Sequence, residues 1–173
     1  ACALPISLVA NPAQEWALPE AFIAWVRGHC VWANSRVDRI VSDALHPVGA
    51  VAEPYALWAI EQQAGLVLPC RHVDIVLTDD LERYERLKLF LLNAGHSCLA
   101  ERGLRDGRAA VEAVVQAMND PALRAELDAL WQEEIVPVFE ALGQRSEALA
   151  YLVDLRERLL NPYLAHRLAD IAQ

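Results

Sequence analysis

Residues 78–100, TDDLERYERLKLFLLNAGHSCLA, constrain the fold of this chain most strongly. Their spacing predicts one long helix, because Asp79 followed by Glu82 has the form of a capping box and acidic residues suit the positive end of the helix dipole. Beyond that start, apolar residues occur on every side of the helix. A helix that is apolar all round is usually buried, so we expect this one to lie in the core.

Three polar side chains interrupt this apolar surface, namely Lys88, Asn93 and His96. At about 100° per residue, Lys88 and His96 lie about 80° apart and Asn93 about 60° beyond His96, so all three project from one side. Burying an ammonium, an amide and an imidazole costs several kcal/mol unless each finds a partner. This costly arrangement indicates a site.

Lys88 is the only lysine in the chain, beside fourteen arginines. An arginine keeps its proton near neutral pH, whereas an amine in apolar surroundings can release its proton there. Two interpretations follow. Either the amine is kept because its proton is removable, or the arginine usage reflects a GC-rich genome in which one lysine survives by chance.

The rest of the chain predicts a mainly α fold with a small β-containing N-terminal portion, and 173 residues suit one domain spanning 1–173. Short strands are expected at 6–10, 37–41, 55–61, 65–69 and 73–77, with 55–61 paired to 65–69. Further helices are expected at 18–27, ended by Gly28, and at 108–118, 121–142 with a bend at Pro137, 145–160 and 163–172.

Composition argues against several classes of protein. The net charge of −9 and the lack of a basic tract exclude a nucleic-acid partner, and no apolar run approaches the ~20 residues that span a bilayer. The cysteines show no metal-ligand spacing, which indicates a metal-free cytoplasmic protein, and Cys98 is expected in the core rather than as a nucleophile. Because the only methionine is Met118 and the C-terminus stops inside a helical pattern, we expect part of a longer protein.

Three segments, in this order, carry a family resemblance: NSRVDRIV from Asn34, KLFLLNAGHS from Lys88 and RLLNPYLAHR from Arg158, with EPYALWAIE between the first two. Together they resemble the C-terminal domain of the mannitol dehydrogenase family, which comprises zinc-free polyol and uronate oxidoreductases including fructuronate and tagaturonate reductases. The resemblance extends from about residue 16 to residue 173. It implies a helical C-terminal domain like that of 6-phosphogluconate dehydrogenase.

The resemblance implies roles for individual residues. Lys88 would be the catalytic acid/base, with Asn93 and His96 in the substrate site beside it. Asp38 would sit near the substrate or support the lysine, or else would pair with an arginine as a structural residue. His166, which follows the Asn-Pro pair, is a candidate for substrate contact.

The chain also departs from the family pattern. Arg36 stands where many polyol members have Met or Leu, which favours an anionic substrate or simply reflects an exposed arginine; Arg39 is expected to hold structure, and Leu159 replaces a Phe. No GxGxxG follows a strand, so the family's N-terminal Rossmann domain is absent from these residues. NAD or NADP would be bound mainly by that missing domain, and this chain alone is expected to be inactive.

Two functions from different classes follow. The first is the substrate-binding and catalytic-lysine domain of an NAD(P)-dependent oxidoreductase that interconverts a polyol or aldonate and its keto sugar or keto-uronate. The second is a non-catalytic helical binding or assembly domain in which Lys88 is a satisfied buried cation. The first requires Lys88, Asn93 and His96 to reach one concave opening.

Overall fold

A computed structural model describes residues 19–68, 70–108 and 112–172, so the strand expected at 6–10 lies outside the described residues. The chain divides into two compact units. The first comprises Ala1–Asp38 and Leu57–Tyr84, and the second comprises Arg39–Ala56 and Glu85–Gln173.

The first unit contains a helix and a three-stranded sheet. Helix α1 (Glu20–His29) begins after Pro19, whose carbonyl accepts the amide hydrogens of Phe22 and Ile23 at 2.9 and 3.2 Å. The expected stop at Gly28 was wrong, because the helix continues to His29 and Gly28 does not adopt the positive φ with which a glycine commonly ends a helix.

The sheet consists of strands β1 (Ser35–Asp38), β4 (Leu57–Glu61) and β5 (Ile75–Thr78), with β4 in the centre. Strand β4 pairs antiparallel with β1 and parallel with β5. The expected pairing of 55–61 with 65–69 was therefore wrong. Both edges of β4 are already hydrogen-bonded, and the chain after it turns at Gly65, which has a φ of +79°.

The long helix begins one residue later than the sequence indicated. Helix α2 (Leu81–Leu87) is capped by Asp80, whose Oδ1 accepts the Arg83 amide hydrogen at 3.1 Å, while the Asp80 amide donates to Thr78 Oγ1 at 3.0 Å. Asp80, rather than Asp79, therefore satisfies one of the free backbone donors in the first turn of the helix.

Helix α2 continues into a π-helical segment, π1 (Lys88–Asn93), and then into helix α3 (Ala94–Arg105). A continuous helix is confirmed, but burial on every side is not. Leu91, Leu92 and Leu99 lie in the core, whereas Leu89 is 49% exposed and Phe90 38% exposed. Only one face of the helix packs against the core.

The second unit also contains a β-hairpin, strands β2 (Val41–Leu45) and β3 (Gly49–Ala52), with a cis His46–Pro47 peptide between them. The helices that follow α3 are α4 (Val114–Asn119), α5 (Pro121–Ala129), the π-helical segment π2 (Leu130–Ile135), α6 (Val136–Ala141), α7 (Arg145–Leu159) and α8 (Leu168–Ile171).

A bend was expected at Pro137; the structure has a π-helical segment, π2, just before this proline, which lacks the amide hydrogen that a regular helix needs. The last helix is shorter than predicted. The Asn161 side chain accepts the Tyr163 amide hydrogen at 3.0 Å, which forms a turn. Ala113 and Arg167 then form an isolated antiparallel bridge, in which the Val114 amide donates to the His166 carbonyl at 2.9 Å and the Leu168 amide to the Glu112 carbonyl at 3.0 Å.

The core of the second unit is formed by side chains from α3 to α8 and π1, among them Trp131, Phe139, Met118, Leu127, Leu152 and Leu155. No helix within the described ranges combines the length and apolarity needed to cross a bilayer. The predicted fold class, mainly helical with a small β portion towards the N-terminus, is confirmed.

Candidate functional site

Lys88 and Asn93 are the first and last residues of π1. Lys88 is half-buried and Asn93 is exposed. A π turn closes hydrogen bonds over five residues instead of four, so the residues after it are rotated relative to a regular α-helix. The angles calculated from regular α geometry therefore do not hold between Lys88 and His96, and π turns occur frequently at functional sites.

His96, on α3, is buried and contacts His166, which lies just before α8. The ring centroids are 4.9 Å apart, and the rings meet edge to face with an interplanar angle of 77°. Burial lowers the pKa of His166, against the opposing effect of Asp170 and Asp43. The structure thus brings together two of the expected site residues that are 70 positions apart in the chain.

A small cavity of about 10 Å³ lies beside the histidine pair. Its walls are formed by Ile40, His96, Val114, Arg158, Leu159, Leu164 and His166. This volume is about what one water molecule needs, so the histidines border a space that one small polar group would fill. Lys88 and Asn93 are not in its wall, so this cavity is not the concave opening that Lys88, Asn93 and His96 were expected to share.

Arg158 forms a buried ion pair with Glu53, the two residues being 7% and 1% exposed. The arginine Nε donates to Glu53 Oε2 at 3.0 Å and Nη2 donates to Oε1 at 2.8 Å, while its guanidinium lies 3.9 Å from the ring centre of Tyr55. Glu53 also accepts the Ile40 amide hydrogen at 2.5 Å. The pair joins α7 to the segments that flank the β2–β3 hairpin.

Sequence reasoning missed this ion pair, although both partners lie in the segments EPYALWAIE and RLLNPYLAHR that carry the family resemblance. The available signal was that each of these largely apolar segments begins with a charged residue, of opposite sign in the two. The structural role expected for Arg39 is confirmed by its contact with the same segment, since Arg39 Nε donates to the Glu53 carbonyl at 2.9 Å.

Asp38 lies in the first unit, at the end of β1, and is 4% exposed. In the same unit, the Asn34 side chain donates to Glu61 Oε2 at 2.8 Å. Hydrogen bonds from the side chain and the backbone amide of Asn34 lower the pKa of Glu61. Glu61 is a second carboxylate that sequence reasoning did not single out. Arg36 is half-buried and donates to the Ser35 carbonyl at 3.0 Å.

A larger apolar cavity of about 310 Å³ lies between the two π-helical segments, lined by Phe90, Ala94, Glu134, Ile135 and Val138.

Cys98 is half-buried and burial raises the pKa of its thiol, which fits the core position expected for it. In the part of the chain that the structure describes, no three His, Cys, Asp or Glu side chains are grouped so that they could hold a metal ion.

The helical fold and the motif on π1 and α3 are those of a mannitol dehydrogenase C-terminal domain, and the chain belongs to the mannitol dehydrogenase family. The family model described as "Mannitol dehydrogenase C-terminal domain" matches residues 80–173. The resemblance stated from the sequence is thereby confirmed.

Altronate oxidoreductases from Escherichia coli O1:K1 and Escherichia coli O157:H7 are each 32% identical to this chain over 185 residues. Each match covers 95% of the chain and 37% of the relative, so the chain spans well under half of these proteins.

Two solved structures share the fold. Mannitol 2-dehydrogenase of Pseudomonas fluorescens, in a ternary complex with NAD and D-mannitol, is 23% identical with a TM-score of 0.67 over 88% of this chain and 33% of that one. Substrate-free D-sorbitol dehydrogenase is 22% identical with a TM-score of 0.72 over 88% of this chain and 34% of that one.

Proposed function

We propose that this chain is the substrate-binding and catalytic-lysine part of an NAD(P)-dependent oxidoreductase that interconverts a polyol or aldonate and its keto product. The observation that carries the proposal is the placement of Lys88 and Asn93 at the two ends of π1, with His96 one turn further, inside the residues that match the family. The names of the curated relatives support an aldonate as the substrate class.

Lys88 is the acid/base in this proposal. When a secondary alcohol is oxidised, the carbon loses a hydride and the hydroxyl loses a proton, so a base must accept that proton. The uncharged Lys88 amine accepts it, and in the reverse direction the Lys88 ammonium donates a proton to the developing alkoxide. Lys88 is half-buried, so its amine is partly shielded from water without being enclosed in the core.

Asn93 and His96 stabilise the oxygen at which charge develops. An amide N–H and an imidazole N–H are hydrogen-bond donors that suit such an oxygen. His166 contacts His96 and borders the same small cavity, and in the proposal it contributes a further substrate contact. Asp38 is a buried carboxylate to which the proposal gives a supporting role towards the substrate or Lys88.

The described residues do not by themselves fit a dinucleotide. Such a site needs a glycine-rich turn from a strand directly into a helix, and within the described ranges the glycines of positive φ are Gly65, Gly107 and Gly143, which do not form one. In the proposal a Rossmann domain elsewhere in the complete protein binds the nicotinamide cofactor, which exchanges the hydride. The residues of this chain bind the substrate and transfer the proton.

The proposal is tested in the complete protein that contains this chain, with polyols and aldonates as substrates and NAD or NADP as the cofactor. Lys88→Ala should lower kcat by about 10²–10⁴-fold, the usual contribution of a general acid/base. Lys88→Arg should fail nearly as badly, because arginine does not release its proton near neutral pH. Arg105→Ala is the control, since Arg105 is an exposed cation on the same continuous helix.

Two results would contradict the proposal. Near-normal kcat in Lys88→Ala would remove the acid/base role, and substantial activity in Lys88→Arg would show that positive charge alone suffices. Retention of the fold in both variants, checked by circular dichroism, separates loss of chemistry from loss of structure.

A helical binding or assembly domain is the second candidate function. The apolar cavity of about 310 Å³ favours it, because the exposed apolar side chains Phe90 and Val138 border that cavity. An assembly domain would tolerate Lys88→Ala without loss of activity, whereas Phe90→Asp would change its oligomeric state in analytical ultracentrifugation.

A further inference from the structure

We infer that Trp131 is a positioning residue for the site: its indole N–H, bonded to the Leu91 carbonyl, holds π1 in the π-helical form that sets Lys88 and Asn93 relative to His96. The inference rests on the proposed function, because it concerns the geometry of the same three side chains. Trp131 touches neither the proposed substrate oxygen nor the reacting atoms, and it acts through the backbone of π1.

The hydrogen bond joins two segments far apart in sequence. Trp131 Nε1 donates to the Leu91 carbonyl oxygen at 3.1 Å, across a separation of 40 residues. Leu91 lies inside π1, three residues after Lys88 and two before Asn93. Trp131 is fully buried, and a buried indole N–H needs an acceptor, so moving the Leu91 carbonyl away would leave an unpaired donor in the core.

The indole ring also fits closely against the start of α3. A Cβ atom added to Gly95 would lie 2.8 Å from Trp131 Cζ2 and 3.5 Å from Cε2. Glycine at this position therefore lets the ring reach the helix backbone between Asn93 and His96. The ring therefore lies against the helix immediately after π1. If π1 took up regular α geometry, the backbone at this point would rotate.

Arg156 lies over the indole ring. The Arg156 guanidinium carbon lies 5.4 Å from the centre of the indole ring, and Arg156 Nε donates to Asp128 Oδ1 at 2.8 Å. A cation over an aromatic face adds attraction to packing. Trp131 thus contacts both Arg156, which is itself bonded to Asp128, and the helix that carries the site. These contacts suit it to keep the backbone of π1 in the π-helical form.

A π turn needs such support, because it is rare and usually occurs as a single turn inside an α-helix. A carbonyl has two lone pairs, so the Leu91 oxygen can accept the indole N–H in addition to a helical amide. Removing the indole N–H should therefore favour the regular α form and rotate Lys88 and Asn93 away from His96.

Trp131→Phe in the complete protein tests this, because it keeps an aromatic ring and removes the N–H. We expect kcat to fall by about ten- to a hundredfold, as a misplacement of about 1 Å can cost a hundredfold, while the KM for the nicotinamide cofactor is unchanged. Hydrogen exchange at the backbone amides of residues 91–95 should become faster. Trp25→Phe is the control, since Trp25 is 53% exposed on α1.

Gly95→Ala provides a second test that does not depend on the folding of Trp131→Phe. Its methyl group should push the indole ring away from Leu91 and lower kcat, whereas Gly28→Ala, with nothing within 4 Å, should not. Phenylalanine lacks the Cζ2 edge of the indole, so adding Trp131→Phe to Gly95→Ala should cause a smaller loss of kcat than the two single losses combined.

Unchanged kcat and unchanged amide exchange in both Trp131→Phe and Gly95→Ala would overturn the inference. So would a crystal structure of Trp131→Phe in which π1 is retained. If the wild-type protein oxidises none of the polyols or aldonates, the proposed function fails. The amide exchange and the crystal structure then still decide whether Trp131 holds π1.

Discussion

The buried ion pair between Glu53 and Arg158 makes a quantitative prediction about stability. In Glu53→Gln, the side chain keeps its shape but loses its charge. Its NH2 group takes the place of one carboxylate oxygen, which in the native protein accepts a hydrogen bond from the Ile40 amide or from Arg158. Arg158, a residue only 7% exposed, would lose the counter-charge of the Glu53 carboxylate. Removing one partner of a buried pair costs about 3–5 kcal/mol of unfolding free energy.

A surface ion pair in the same unit is the matched control. Arg145 and Glu140 have side chains that are 51% and 60% exposed, and Arg145 Nη1 donates to Glu140 Oε2 at 2.7 Å. Glu140→Gln should cost about 0–1 kcal/mol, because water screens the exposed pair. Both free energies can be measured by urea unfolding followed by tryptophan fluorescence.

The double variant Glu53→Leu with Arg158→Met separates charge burial from packing. If the cost of Glu53→Gln comes from a buried cation that has lost the Glu53 carboxylate, removing both charges should restore much of the lost stability. The reasoning is refuted if Glu53→Gln costs no more than Glu140→Gln, since the other contacts of Arg158 would then suffice without the Glu53 carboxylate.

Three further predictions concern the second unit. Because burial lowers the pKa of His166 below its ordinary value of 6.5, the unfolded chain binds the proton more readily; the unfolding free energy should fall as the pH drops below about 6.5, and less steeply in His166→Asn. Leu127→Ala should cost about 2–5 kcal/mol in urea unfolding, whereas Leu142→Ala, at a half-exposed position, should cost far less; similar costs would contradict the core assignment. Cys98 should react with iodoacetamide more slowly than exposed Cys30, as measured by mass spectrometry, because burial raises the pKa of its thiol; equal rates would contradict its burial.

Much of the helical architecture was predictable because it depends on residues close in sequence. The apolar spacing in 121–142 and 145–160 predicts helices, and the structure places α5, π2, α6 and α7 there. The grouping of Lys88, Asn93 and His96 on one helix was also visible in the sequence. The first two occupy the ends of π1, and the third follows in α3.

Other features depend on partners that the local pattern does not contain. Strand 65–69 was expected to pair with β4, but competition from β1 and β5 for both edges of β4 is a property of the whole sheet. The last helix was expected from 163, but the bridge between Ala113 and Arg167 keeps Arg167 extended, and the helix begins only at Leu168.

The sequence by itself determined that a lone lysine, an amide and an imidazole lie within three turns of one helix, because helical spacing requires only neighbouring residues. Tertiary structure decided the angles between them. The widening at π1 is braced by Trp131, 40 residues from Leu91, and the wall beside the histidine pair is held by Arg158 and Glu53, 105 residues apart. A buried indole N–H and a buried guanidinium each need a partner, and only the folded chain brings those partners within reach.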